Sequence, residues 1–240
     1  MIWVPLLLVA YAVAGVGCVR AWRASLAADR PHGPPDGARE LTVREAAYLA
    51  GGPLRVTDLT LVSMHRSRRL LLARTGWATV VDATGGDELE RAVLAAIGPG
   101  GQSPVPAVRP VVADAESVRL LAEDLVGRGL AVSEEGRREV AAGVRAVRAG
   151  FLVTLVLGTV AALLVPTADR SLVVAAFALP LVGSGLCLLI GRAEVYPHTR
   201  WASPTGQRLL AGLSRTDPLT ALATRGPAVL EPELRAALRG

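Results

Sequence analysis

Three apolar stretches without a charged residue constrain this 240-residue chain most: Ile2–Val19, Phe151–Val165 and Leu172–Ile190. An uncharged apolar run of roughly 17–25 residues is typical of a membrane-spanning helix, because only a helix satisfies its own backbone hydrogen bonds in lipid. The middle stretch is shorter, at the lower margin, and pairs with the third as a helical hairpin. The pattern predicts three transmembrane helices, in agreement with a hydrophobic content of 51%.

The arginines predict how the chain is oriented. The sequence has no lysine, and of its 26 arginines only Arg170 falls in the short loop 166–171. Arginines flanking the spans mark the cytoplasmic side by the positive-inside rule; they are Arg20, Arg23, Arg145, Arg148 and Arg192. We therefore predict a multi-pass protein of the cell membrane with its N-terminus outside and its main domain and C-terminus in the cytoplasm. We expect the same juxtamembrane arginines to contact anionic lipid.

A cleaved signal peptide is the alternative interpretation of the first stretch. No positively charged segment precedes Ile2, and Gly15 stands where a lipoprotein signal would carry an aliphatic residue before Cys18. Cys18 and Cys187 both lie inside predicted spans, so the sequence supports neither a structural disulfide nor a zinc site. We predict an uncleaved anchor.

Runs rich in proline and glycine divide the remainder of the chain. The predicted organisation is a transmembrane helix at 2–19, a linker at 20–40, a cytoplasmic α+β module at 41–97, a linker at 98–112, a helical module at 113–149, a transmembrane hairpin at 150–191 and a cytoplasmic helical tail at 192–240.

Two helices open the α+β module. Thr42 and Glu45 have the spacing of a capping box, which predicts a helix start, and Gly51-Gly52 ends that helix at a sharp turn. Pro53 suits the first turn of a second helix that runs to about Arg66.

A hairpin and a third helix follow. Leu70–Arg74 and Trp77–Val81 flank Thr75-Gly76, which indicates two antiparallel strands, and Asp87 with Glu90 opens a helix. Helix, helix, hairpin and helix together predict a small α+β domain of winged-helix character.

Helix starts also punctuate the rest of the chain. Asp114 and Ser133 are predicted N-caps of two further helices. The tail has three helix starts that each place a proline in the first turn; they are Ser203-Pro204, Asp217-Pro218 and Glu231-Pro232.

No residue pattern indicates catalysis, a metal or a cofactor. The histidines His32, His65 and His198 are scattered, and Glu134-Glu135 fits the first turn of a helix. Gly98–Gly101 lacks the Gly-Lys-Ser/Thr of a phosphate-binding loop. No acid or base lies in the middle of a predicted span, which argues against a transporter or pump.

The basic cluster His65–Arg69, with the sequence HRSRR, is the sharpest polar feature. It suits contact with anionic lipid headgroups or with nucleic acid phosphates. It also suits the simpler role of arginines at a helix C-terminus that interact with the helix dipole.

The segment EAAYLAGGPLR at Glu45–Arg55, followed by Val56, resembles the "aYLaGGPxRV" signature of an uncharacterised actinobacterial family of membrane proteins. The tail segment HTRWASPTGQRLL at 198–210 fits in part a second signature of that family. The resemblance implies an N-terminal span, a cytoplasmic domain, a membrane hairpin and a tail. It adds no catalytic residue, because no activity is attached to the family.

Taken together, the patterns predict a mainly α-helical membrane protein with three transmembrane helices and a small cytoplasmic α+β, winged-helix-like domain. Its predicted function is that of a non-enzymatic scaffold or interaction protein, whose partners are the lipid bilayer and an unidentified protein.

The alternative is a membrane-tethered DNA-binding regulator. Its recognition helix would be Leu54–Arg66, which would present Arg55, Thr57, Thr60 and Ser63, although Asp58 opposes close approach to phosphates.

Overall fold

The computed structural model describes residues 3–28, 40–166, 170–194, 199–214 and 216–239. The chain is mostly helical and divides into two compact units. The first, named here the bundle unit, comprises Met1–Arg30 and Ser133–Pro197, and the second, the sheet unit, comprises Pro31–Val132 and His198–Gly240.

The helices of the described residues are, in chain order, α1 (Trp3–Ala28), α2 (Val43–Gly51), α3 (Pro53–Arg66), α4 (Glu88–Ile97), α5 (Val105–Ala113), α6 (Glu116–Gly127), α7 (Glu134–Leu164), α8 (Arg170–Glu194), α9 (Pro204–Gly212), α10 (Pro218–Arg225) and α11 (Pro232–Arg239). The strands are β1 (Leu70–Leu72), β2 (Trp77–Val80) and β3 (Gln102–Pro104), and a 3₁₀ turn covers Pro227–Val229.

The bundle unit consists of α1, α7 and α8. Two helical segments among the described residues, Glu134–Leu164 and Arg170–Leu189, are long and apolar enough to cross a membrane, whereas the apolar part of α1, Val4–Val19, is shorter. Part of the membrane prediction is thus confirmed: the hairpin has two candidate spans.

Large aliphatic side chains cover the outside of the bundle unit. Leu152, Leu163 and Leu179 are 59%, 73% and 66% exposed. More than half of the buried positions are small or hydroxyl-bearing, and the larger members include Val140, Val147, Val173 and Phe177; the small ones include Ala10, Ala14, Gly17, Gly150, Thr154, Ala161 and Ser184. This distribution is typical of helices whose surroundings are as apolar as their own surface.

Small residues bring the helices of the bundle unit close together. A Cβ atom added at Gly17 would lie 3.3 Å from the Cα atom of Val147, and one added at Gly158 would lie 3.1 Å from Cδ1 of Phe177. The buried hydroxyls of Thr154 and Ser184 donate to carbonyls of their own helices, at 2.8 and 2.7 Å. The interior therefore leaves neither hydroxyl without a partner, as lipid surroundings require.

The sheet unit is built around α3, which is buried along most of its length. Val56, Leu61 and Met64 on this helix are fully buried, and their neighbours Leu59 and Val62 are nearly so. Such a helix belongs to the centre of a domain, because it has too little polar surface to lie at the boundary with water.

A three-stranded antiparallel sheet in the order β1-β2-β3 packs beside α3. The predicted hairpin is confirmed, with Leu70 opposite Val80 and Leu72 opposite Ala78. Leu70, Leu72 and Ala78 face the core, whereas Leu71 and Trp77 lie on the exposed face.

The predicted helix starts are largely confirmed. Thr42 and Glu45 form both hydrogen bonds of the capping box, and Asp87 and Ser133 each accept a hydrogen bond from a backbone amide three residues ahead. Prolines occupy the first turns of α3, α9 and α10 as expected. Asp114 is the exception, because it caps the end of α5 while Ala115 precedes α6.

The predicted linker at 98–112 is wrong. Its residues form β3 and most of α5, and Val105, Val108 and Val112 are fully buried. The prediction was based on the proline content of the segment. Pro106, however, lies in the first turn of α5, where its missing N–H is tolerated, and the valines have helical spacing.

Two further boundaries differ from the prediction. Helix α1 continues to Ala28, past the predicted end at residue 19, because no proline or glycine interrupts residues 20–28. The rest of the predicted linker, 29–39, lies outside the described residues. The predicted module at 113–149 is divided between the two units, because the boundary along the chain falls between Val132 and Ser133.

From residue 199 onward, the described part of the predicted helical tail belongs to the sheet unit. Ala131 pairs with Ala202 in an antiparallel bridge, the Val132 amide donates to the Trp201 carbonyl at 2.9 Å, and Leu222 and Leu238 are buried in the core. Trp201 therefore lies in the sheet unit.

The glycine pair of the AGGP segment has a specific packing role. Gly52 has a φ angle of +73°, and a Cβ atom there would lie 2.1 Å from Cε2 of Trp201. The Trp201 ring also contacts Tyr48 edge to face, with ring centroids 5.6 Å apart. Gly52 therefore allows both the turn between α2 and α3 and the close approach of the tryptophan.

We expect Gly52→Ala to lower the free energy of unfolding of the sheet unit by at least about 2 kcal/mol, because alanine is strained at this φ and collides with Trp201. Pulse proteolysis in urea of the full chain in detergent micelles measures the change. Gly100→Ala is the matched control, since a Cβ atom there meets nothing within 4 Å. Equal stability of the two variants would contradict this account of Gly52.

Candidate binding groove

An open groove of about 650 Å³ lies in the sheet unit, and we name it the basic groove. One wall comes from the end of α3, from β1 and from Val81, and the other from α10, the 3₁₀ turn and the start of α11. Val62 and Leu70 in its lining are buried, while Leu71, Val81 and Val229 are 53%, 66% and 39% exposed. The groove is therefore apolar over much of its lining and open to solvent.

The polar residues of the basic groove are His65, Arg66 and Arg68 on the α3 side and Glu231 on the tail side. Arg66 and Arg68 are exposed, and within the described residues neither side chain forms a hydrogen bond or ion pair. Arg69, the third arginine of the predicted cluster, instead pairs with Glu90. The structure thus divides the cluster: Arg69 stabilises the fold, while Arg66 and Arg68 border the groove.

Arg68 occupies a backbone position that favours glycine. After α3 ends, the Arg68 amide donates to the His65 carbonyl and the Arg69 amide to the Met64 carbonyl, at 3.0 and 2.9 Å. These two bonds define a Schellman motif, in which Arg68 takes the left-handed position with φ +59°. A side chain other than glycine or asparagine is unfavourable at such a position.

His65 covers the outer edge of β1. The Leu72 amide donates to Nδ1 of His65 at 3.3 Å, and the Leu70 carbonyl oxygen lies 3.1 Å from the same nitrogen. On the side of β2, the Ala73 amide donates to the Trp77 carbonyl and the Val81 amide donates to the Arg69 carbonyl. The backbone groups of Leu70 and Leu72 therefore point to the other side. His65 therefore covers these two backbone groups of the β1 edge, and its single ring nitrogen Nδ1 bonds one of them at a time.

A buried ion pair joins α3 to α5, away from the groove-lining end of α3. Asp58 is 2% exposed, and its carboxylate accepts a hydrogen bond from Nη2 of Arg109 at 2.9 Å. Nε of Arg109 lies 2.7 Å from the other carboxylate oxygen, although not in line for a hydrogen bond. Burial raises the pKa of Asp58, against the opposing charges of Arg109 and Arg55.

The arginines near Asp58 also hold the C-terminal helices. Nη1 of Arg55 donates to the carbonyls of Leu222 and Ala223 at the end of α10, at 3.3 and 3.4 Å. Nη1 of Arg109 donates to the Leu238 carbonyl in the last turn of α11, at 3.4 Å. A cation at a helix C-terminus interacts favourably with the helix dipole, so this network fixes the wall that supplies Glu231.

A second buried carboxylate ties α2 to α6. Glu45 is 4% exposed and accepts a hydrogen bond from Nη1 of Arg128 at 2.6 Å. Burial alone would raise the pKa of Glu45, but hydrogen bonds with Thr42 and the guanidinium of Arg128 outweigh it and hold the pKa below its usual value. Glu45 therefore serves the fold as a charged group.

The proposed DNA-recognition residues are mostly inside the sheet unit. Thr57 and Thr60 are buried, and their hydroxyls donate to the Pro53 and Val56 carbonyls. The guanidinium of Arg55 donates hydrogen bonds to carbonyls of α10. These three side chains are not presented to solvent as a recognition surface.

The other polar features that the sequence singles out have local roles. Glu134 pairs with Arg138 on α7, and Gly98 ends α4 with φ +81°. His32 and His198 lie outside the described residues. Within the described ranges, no group of three or more histidine, cysteine or acidic side chains is arranged to hold a metal ion.

Sequence reasoning found one wall of the basic groove and missed the other. The HRSRR cluster includes Arg66 and Arg68, whereas the sequence pattern at Glu231 indicates only the start of a helix. The two walls are separated by about 150 residues, and no local pattern relates them.

We expect Arg109→Ala to lower the free energy of unfolding of the sheet unit by about 3 kcal/mol, because it leaves the buried Asp58 without its ion-pair partner. Urea titration with pulse proteolysis of the full chain in micelles tests this. Arg119→Ala removes an arginine from solvent-exposed pairs on α6 and should cost much less stability than Arg109→Ala.

The double variant Asp58→Leu/Arg109→Leu removes both charges of the pair and should lose less stability than Arg109→Ala. If Arg109→Ala and Arg119→Ala were equally stable, the buried pair would not support the fold as described.

Comparison with known proteins gives no match: no family model, no curated protein and no solved structure is similar to this chain. The resemblance to the actinobacterial membrane-protein family therefore stays a prediction.

Proposed function

We propose that the chain is a three-span membrane protein without enzymatic activity, whose sheet unit is a cytoplasmic module that binds another protein. The observation that carries the binding role is the basic groove, in which exposed apolar side chains stand beside two arginines without partners among the described residues.

The surface of the bundle unit supports a membrane location. Helices α7 and α8 include two candidate spans, and their leucines are exposed to more than half of their area at positions such as Leu163 and Leu179. In water such a surface would promote aggregation. Helix α1 packs against both α7 and α8, and its apolar part, Val4–Val19, extends about 24 Å at 1.5 Å per residue, so it is our candidate for the remaining span.

The sheet unit is formed by two segments that are separated in the sequence. This arrangement supports an even number of membrane crossings by the chain between them. The chain leaves this unit at Val132 and re-enters it by residue 199, and the Ala131–Ala202 bridge joins the two segments. Segments that form one folded unit lie on one side of a bilayer. A hairpin in which α7 and α8 both cross meets that requirement.

The charge distribution supports a cytoplasmic sheet unit. Arg170 is the single arginine of the short hairpin loop, whereas the other 25 lie elsewhere, several of them adjacent to the spans. The positive-inside rule then assigns the loop to the outside and the sheet unit to the cytoplasm.

Cysteine labelling in intact cells tests the topology. In a background with Cys18→Ala and Cys187→Ala, we expect a membrane-impermeant maleimide to label Ser171→Cys at the start of α8 without lysis. Gly100→Cys in the sheet unit should be labelled only after the membrane is permeabilised. Both positions are exposed, so accessibility to water does not distinguish them. Labelling of Gly100→Cys in intact cells would contradict the orientation.

Photocrosslinking in living cells tests the binding role. The chain has no lysine, so a photoreactive leucine analogue is more suitable than an amine reagent. We expect a specific protein adduct that persists after nuclease treatment. A nuclease-sensitive DNA adduct would favour the alternative of a tethered DNA-binding regulator, and the absence of any macromolecular adduct would contradict a binding function.

A further inference from the structure

We propose that the basic groove binds an acidic amphipathic helix of a partner protein, with apolar side chains in the groove and carboxylates against Arg66 and Arg68. This inference rests on the proposed function, because it names the class of partner that the sheet unit takes and the surface that takes it.

The apolar lining of the groove calls for an apolar face on the partner. Leu71, Val81 and Val229 are large aliphatic residues with 39–66% of their area exposed, and they share one concave surface. Covering such side chains is favourable by about 25 cal/mol per Å² of apolar area removed from water. An ion or a small polar metabolite would leave this area exposed.

The charges of the groove call for carboxylates on the partner. Arg66 and Arg68 stand on the α3 wall without a partner among the described residues, whereas Glu231 stands on the tail wall. A partner with acidic residues toward the α3 wall and none toward Glu231 complements this pattern. Charges at the rim of an interface chiefly set specificity and the rate of association.

The backbone at Arg68 gives an independent reason to assign this side chain to binding. Arginine occupies the left-handed position of the Schellman motif, where glycine would fit without strain. Within the described residues its guanidinium makes no hydrogen bond or ion pair that would offset this strain. Backbone strain of this kind is concentrated at functional sites.

The edge of the sheet decides between a strand and a helix as the bound segment. An extended peptide would bind by hydrogen bonds to the outer backbone groups of β1, but Nδ1 of His65 lies against those of Leu70 and Leu72. Recognition therefore depends on side chains, which is the way an amphipathic helix binds a groove.

Site-specific photocrosslinking of the full chain in cells tests the proposal. Benzoylphenylalanine replaces Leu71 or Val229 in the groove, and Leu120 or Val111 serves as the control on an exposed apolar position elsewhere in the same unit. We expect a protein adduct from the groove positions and not from the controls. Mass spectrometry of the adduct should identify a segment with apolar residues at helical spacing and acidic residues along one side of that apolar face.

Charge reversal provides the second arm. Arg66→Glu/Arg68→Glu should reduce the groove adduct at least about tenfold, whereas Arg74→Glu, on an exposed arginine that does not line the groove, should leave it unchanged. Changing the acidic residues of the mapped segment to lysine should restore the adduct in the doubly reversed variant.

Arg68→Gly separates binding from folding. Relief of the left-handed strain should leave the unfolding midpoint of the sheet unit unchanged or raised by about 2–5 °C, while the adduct is reduced. A lowered midpoint would assign Arg68 to the fold and overturn its role in binding.

Three results would overturn the groove assignment: a lipid or nucleic acid adduct at the groove positions, no adduct there, or a protein adduct unaffected by charge reversal. A protein adduct at Leu120 or Val111 alone would refute the groove and leave the proposed function standing. No protein adduct from any position, together with none from the photoreactive leucine experiment, would refute both.

Discussion

The buried Asp58–Arg109 pair is the interaction on which the arrangement of the sheet unit most depends. Asp58 lies on the central helix, away from water, so it needs a cation, and the cation comes from α5. The same guanidinium reaches a carbonyl of α11, and Arg55 reaches carbonyls of α10. Two arginines thus lie near this one desolvated carboxylate, and both donate hydrogen bonds that attach the C-terminal helices to the core.

That attachment links the two segments of the sheet unit across the hairpin of α7 and α8. The Ala131–Ala202 bridge begins the connection and the buried side chains of Leu222 and Leu238 complete it. Under the proposed topology both segments must lie on one side of the bilayer, so the folding of the sheet unit and the topology of the chain constrain each other. The groove depends on the same closure, because each segment supplies one of its walls.

The arginines of the sheet unit differ in what surrounds them. Arg109 and Arg128 are paired with buried carboxylates and serve the fold, whereas Arg66 and Arg68 border an apolar groove. The difference arises from local geometry: Arg109 and Arg128 reach carboxylates that are buried away from water, whereas Arg66 and Arg68 lie at the exposed C-terminal end of α3. Charge alone did not distinguish these roles, since every cation outside the histidines is an arginine.

The sequence by itself determined the local elements: the apolar hairpin helices, the caps at Thr42, Asp87 and Ser133, the hairpin and the proline-led tail helices, because their signals lie within a few residues. Tertiary structure decided the rest. Burial of the valines made a helix of the supposed linker at 98–112, and long-range packing brought Trp201 onto Gly52. The pairing of the two groove walls depends on contacts between distant segments, which local patterns do not encode. The burial of Thr57 and Thr60 in the core depends on such contacts as well.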